Sequence, residues 1–130
     1  MVQIVGPFNS GPAAGGEGSA TSSQDSSVLI AGALQAVSVK YNPEYPDAPP
    51  ATTKVTISTK GNAGLPALTI LVLDGKNTNG WYIPRFAIHD NQGAVIPDLY
   101  EELPIYDIVN VLIETANEGS NVDVCFLVSD

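Results

Sequence analysis

The sequence predicts an all-β domain, an antiparallel β-sandwich or jelly-roll-like barrel with an extended N-terminal arm. From residue 28 onward, short β-prone runs recur at spacings of about ten residues. Each run is closed by Gly, Pro, Asn or Asp, the residues that turns require. No window shows the 3.6-residue apolar period of an amphipathic helix. At 130 residues the chain suits one compact domain, and a chain of this size buries roughly two-thirds of its unfolded surface without disulfides.

The elements follow in order. Residues 6 to 27 are rich in Gly, Ser, Ala and Pro and have neither helical nor strand periodicity, so residues 1–27 are expected to form a flexible arm, followed by a β-sandwich domain over 28–130. Val2, Ile4, Val5 and Phe8 at its head are too apolar for a freely solvated tail and suggest an anchor that docks on a neighbouring molecule. An ordinary frayed terminus is the plain alternative. Val28 to Ala33 and Gln35 to Tyr41 read as a first strand pair, with Val37, Val39 and Tyr41 alternating with Ser38 and Lys40. Asn42 to Pro50 holds four prolines and must be a loop or polyproline-like crossing.

Lys54 to Thr59 alternates cleanly, while Leu68 to Leu73 is apolar on both faces, the pattern of a central strand covered on both sides. Trp81 to His89 is interrupted by Pro84, which marks an edge or a bulge, and its period places Trp81, Ile83 and Arg85 on one face. A loop bounded by Pro97 and Pro104 follows, with room for a helical turn near Asp98 to Glu102. Val109 to Glu114 and Val122 to Val128 then read as a hairpin joined by residues 116–121.

Composition narrows the function. With 5 basic and 14 acidic groups the net charge is −9, and the cations Lys40, Lys54, Lys60, Lys76 and Arg85 are scattered, so nucleic acid is a poor partner. A membrane surface is disfavoured by the same charge, and no apolar run approaches the roughly 20 residues of a spanning helix. The first residues lack the basic and apolar regions of a secretory signal, there is no Asn-x-Ser/Thr sequon, and an intracellular origin is the simpler reading.

Catalytic side chains are scarce. The chain has one His, one Arg and one Cys, and adjacent residues such as His89 and Asp90 point to opposite faces of a strand. Cys125 lies within an alternating run and reads as a small apolar filler. Asp98, Glu101, Glu102 and Asp107 could supply oxygen ligands to Ca²⁺, but no ordering motif is present and a solvated acidic rim is favoured. Residues 74–80 resemble a calcium loop but fail at Lys76 and lack a Glu at the twelfth position. No catalytic residue, metal or cofactor is therefore assigned. Paired carboxylates for sugar hydrolysis have no specific support among so many acids. Trp81, Tyr82, Tyr45 and Tyr100, if exposed, would stack on sugar rings as in a carbohydrate-binding module, the alternative to core or subunit contacts.

Gly80-Trp81-Tyr82-Ile83-Pro84-Arg85, His89, Gly93, Tyr100, Pro104-Ile105-x-Asp107-x-Val109-Asn110-Val111, Ala116, Gly119 and Val122-Asp123-Val124 resemble small virion proteins of tailed bacteriophages, the head decoration or cement proteins. The resemblance covers about Leu68 to Asp130. It implies a non-enzymatic structural protein on the capsid exterior of a virion, made in the host cytoplasm. Its partner would be the major capsid protein, and trimers at local three-fold positions are favoured for its homo-oligomer. An extended terminus would clasp neighbouring subunits. Val2, Ile4, Val5, Phe8, Trp81, Tyr82 and Arg85 are the candidate capsid or subunit contacts. The alternative is a carbohydrate-binding β-sandwich used in host adhesion.

Overall fold

A computed structural model describes residues 1–42, 50–61 and 64–129. The expected proline-rich crossing and Tyr45 fall within 43–49, outside the described residues. The strands are β1 (Val2–Asn9), β2 (Ala20–Asp25), β3 (Ile30–Asn42), β4 (Lys54–Thr59), β5 (Thr69–Asp74), β6 (Gly80–Tyr82), β7 (Phe86–His89), β8 (Val95–Glu101), β9 (Pro104–Asp107), β10 (Val109–Ala116) and β11 (Asn121–Ser129). The expected all-β sandwich is what they form. One sheet runs β1-β11-β3-β6, with β9 also on β3; the second runs β2-β10-β4-β5; β7 and β8 make a separate hairpin.

Alternation in the sequence places the core. Val37, Val39 and Tyr41 of β3 and Val122, Val124, Phe126 and Val128 of β11 point inward, as do Val55 and Ile57 of β4 and Val109, Val111 and Ile113 of β10. Burying these side chains, at roughly 1.5–3 kcal/mol each, drives the two sheets together.

Several expectations are corrected. Residues 1–27 are not a loose arm. β1 pairs antiparallel with β11 and β2 with β10, so the first 25 residues are laced into both sheets. The small residues that read as a linker are small because the chain passes through tight space: Ser10, Ala13 and Ala20 are buried. Ser10 N donates to Val122 O and Val122 N to Ser10 Oγ, both at 3.0 Å, while Ala13 N donates to Ser120 O at 2.8 Å. Gly6 sits in the bulge between Val5 and Phe8 at φ +123°, where a Cβ would lie 2.8 Å from Val124 O.

The apparent pair over residues 28–41 is one long strand, whose Ala36 and Leu34 pair with Leu127 and Val128, leaving Gln35 as the extra residue of a bulge. The expected doubly covered strand, β5, is an edge strand with, among the described residues, only β4 beside it. Residues 95–101 form β8 rather than a loop or helical turn. β10 and β11 are not a hairpin: they lie in opposite sheets, and Gly119, at φ +84°, helps turn the chain across. Both strands carry an alternating apolar face, and an arch between sheets lets those faces meet across the core instead of standing side by side.

Two stability predictions follow from this packing. Phe8, half-buried, packs on Phe126 with ring centroids 6.0 Å apart, so Phe8→Ala should cost about 2 kcal/mol, less than the ~3–5 kcal/mol of a fully buried Phe. A urea unfolding midpoint equal to wild type would return β1 to a loose arm. The Tyr41 hydroxyl is buried without a hydrogen-bond partner among the described residues, and burial, aided by the nearby Tyr82, pushes its phenol up to about 12. A raised folded pKa means that its contribution is fully present below about pH 10 and lost as pH rises toward about 12. Tyr41→Phe should therefore match or exceed wild-type stability at neutral pH and lose less between about pH 10 and 12. A large loss at neutral pH would contradict the orphaned hydroxyl.

Candidate binding face

Cross-strand partners share a face of a sheet, so the register of the five-stranded sheet fixes what its outer side displays. Asn121 stands beside Asn42, Asp123 beside Lys40, Cys125 beside Ser38, and Leu127 beside Ala36. β1 adds Asn9 next to Asp123, Ile4 next to Leu127 and Val2 next to Ser129. On the far side of β3, Trp81 lies opposite Ser38 and Tyr106 opposite Ala31. Trp81 and Tyr106 are 59% and 61% exposed. Seven residues of β3, at ~3.3 Å each with one bulge, separate their levels by roughly 20 Å.

Polar groups fill the rows around these rings. Asn9 Nδ2 donates to Asn121 Oδ1 and to Asp123 Oδ1, and Asn42 Nδ2 to Asp123 Oδ2, each at 2.8 Å. A shallow depression next to Trp81 is lined by Ser38, Val39, Lys40, Asn79 and Gly80. Between the levels of Trp81 and Tyr106, Gln35 Nε2 donates to Glu102 Oε2 at 2.5 Å and to Ser129 Oγ at 3.0 Å.

Arg85 sits where β3 lacks a neighbour. β6 pairs with residues 37–39 of β3 and β9 with residues 30–33. In the gap, Arg85 Nη1 donates to Gln35 O at 3.2 Å and to Pro84 O at 2.8 Å. The arginine thus serves an edge carbonyl and, among the described residues, no carboxylate, contrary to the usual pairing of its planar fork.

The candidate contacts from the sequence divide in two. Val2, Ile4 and Trp81 come together on the outer face of one sheet, with Arg85 at its edge; Val5, Phe8 and Tyr82 turn toward the core. Tyr106 of β9 joins this face from outside the candidates that the sequence offers. Its signal was the alternation of Pro104 and Tyr106 outward with Ile105 and Asp107 inward.

Other chemical candidates do not converge. His89 is exposed at the end of β7, and the neighbouring Asp90 carboxylate accepts Gln92 N and Ala94 N at 2.9 Å, bonds that hold it below the usual carboxylate range. Burial, then the Asp123 charge, raises the Cys125 thiol, which disfavours the thiolate. The expected acidic rim is corrected at Asp107, which is buried and accepts Gly61 N at 3.0 Å and Ile108 N at 2.7 Å, while Glu102 engages Gln35. Among the described residues no group of three or more His, Cys, Asp or Glu side chains is placed to hold a metal ion. No helix is long and apolar enough to cross a membrane.

No protein family model matches the chain, and no curated protein matches it. Among solved structures it is similar to two single-substitution variants of CBM29-2, a family 29 carbohydrate-binding module studied for ligand recognition. One gives a TM-score of 0.42 at 13% identity, covering 100% of this chain and 80% of that one. The other gives 0.41 at 11% identity, covering 98% and 85%. At these values no residue or ligand of that module is transferred to this chain.

Removing the Asp107 carboxylate would leave two backbone N–H groups without an acceptor. Asp107→Ala should cost about 1–3 kcal/mol, read as a lowered melting temperature. Added Ca²⁺ should leave the wild-type melting temperature unmoved. Stabilisation by Ca²⁺ that vanishes in Asp107→Ala would instead make the acidic cluster a cation site.

Proposed function

We propose that the protein is a non-catalytic binding domain that holds glycan chains on the outer face of its five-stranded sheet. The observation that supports this most is the pair of exposed rings, Trp81 and Tyr106, on one face with amide, hydroxyl and guanidinium groups between and beside them. Sugars present apolar C–H faces to aromatic rings and hydroxyls to such polar groups, and this arrangement offers both along an open track. Lys40 and Arg85 are offset by Asp123 and Glu102, so the face is close to neutral in a chain of net charge −9. A neutral polysaccharide fits that balance better than a highly charged one.

A second reading has its own observation. Val2, Ile4 and Ile83 are also exposed large apolar groups, Ile4 and Ile83 each at 64%, and Val2 and Ile4 make an apolar corner with Leu127 on the same face. Such a corner suits docking on a protein, and with the phage-virion resemblance it supports a decoration protein seated on the major capsid protein at the capsid exterior. Several weak patches on a repeating lattice would then add through avidity.

The two readings separate experimentally. The glycan reading expects binding on a glycan array or to insoluble polysaccharide, and a loss of about 2 kcal/mol, roughly thirtyfold in Kd, for Trp81→Ala. Tyr106→Ala should weaken binding to long chains more than to short ones. Co-sedimentation with capsids that is lost in Ile4→Asp but kept in Tyr106→Ala, with no glycan bound, would replace it by the capsid reading.

A further inference from the structure

We infer that β5 is a self-pairing edge through which two copies of this chain join their four-stranded sheets. An edge strand offers unpaired backbone N–H and C=O groups, and folded proteins blunt such edges with proline, charge, brevity or a cover. The other edges of the two larger sheets are blunted. β1 is kinked by the Gly6-Pro7 bulge. β2 is covered where Ala14 pairs with Thr21 and where Ser22 Oγ donates to Ser10 O. β6 is three residues long and is followed by Pro84, and β9 begins at Pro104. β5 has only a bulge at its start, where Ile57 pairs with Leu71 and Ser58 with Thr69, and one charge, Asp74, at its last residue. From Leu65 to Leu73 there is no charged residue, and among the described residues no strand lies beyond β5.

This edge also carries the unbroken apolar run Ile70-Leu71-Val72-Leu73, the composition of a strand covered on both sides. Val72 is 46% exposed, and Leu65 and Leu68 are exposed beside it. A second copy satisfies this edge by symmetry. Antiparallel pairing about a two-fold axis at Val72 sets Leu71 of each copy opposite Leu73 of the other, keeping core-facing residues on the core side. Asp74, the only charge in β5, then falls at opposite ends of the joint, so two acidic chains meet along an uncharged seam. The outer face of the five-stranded sheet stays uncovered, so this inference and the proposed function fail independently.

Sedimentation of the full chain across a concentration series is expected to show a monomer–dimer equilibrium that Val72→Lys shifts to monomer. Circular dichroism should report an unchanged fold, because Val72 is already half in solvent. In a Cys125→Ser background, Val72→Cys should form an intermolecular disulfide under mild oxidation, since cross-strand neighbours lie within disulfide reach. The disulfide decides the matter alone if Val72→Lys fails to fold. A monomer at every concentration with no cross-link overturns the inference. So does a dimer or trimer indifferent to Val72→Lys, or open-ended aggregation without a cross-linked dimer.

Discussion

The β3–β11 ladder is the constraint on which the rest of the structure depends. The two strands pair from Asn42 and Asn121 at one end to Ala33 and Ser129 at the other. On the inner side their alternate residues form one wall of the core, from Val37 to Tyr41 and from Val122 to Val128. On the outer side the intervening residues form the floor of the candidate binding face. β1 docks on one flank of this pair and β6 and β9 on the other, so the ladder positions Ile4, Trp81 and Tyr106. A one-residue slip would turn over the strand that moves, burying Lys40 and exposing Val39 if β3 slips, or burying Asp123 and exposing Val124 if β11 does. The cost of burying those charges is what fixes the register.

Local pattern in the sequence translated well into strands and poorly into sheets. The alternation of Lys54 to Thr59 and of Val122 to Val128 identifies β4 and β11 and the inward-facing residue at each step. It carries no information about which strand lies alongside. β10 and β11 therefore look like a hairpin although they face each other across the core. Residues 6–27 mislead for a related reason: small residues are equally the mark of a flexible tether and of a chain threaded through tight space. Only the burial of Ser10, Ala13 and Ala20 separates the two. The site was half legible. Trp81 could be read as a contact residue near Pro84, and it stands exposed beside Ser38. Tyr106 could not, because its place beside Ala31 depends on a pairing between distant segments.

The misreading of β5 is of another kind. Its composition says that it is covered, and the single chain leaves it at an edge. These statements agree if the cover is another molecule. The chain would then divide its two sheets between two tasks, with the four-stranded sheet joining copies and the five-stranded sheet meeting the ligand. Two copies carrying one binding face each would gain avidity on any repeating target, a polysaccharide or a capsid lattice alike. With Asp74 at the two ends of such a joint, the net charge of −9 would favour solubility over nonspecific association.

A glycan held as proposed, on the outer face of the five-stranded sheet, would shield that face alone. The most direct test is a hydrogen-exchange footprint of the protein with and without saturating polysaccharide. Slowed exchange is expected at the face's exposed rim, residues 79–85 and 103–106, and in the β3 segment between them. Exchange in β4, β5 and β10 should be unchanged. Protection confined to the β7–β8 hairpin or to the four-stranded sheet would place the ligand elsewhere and rule this face out.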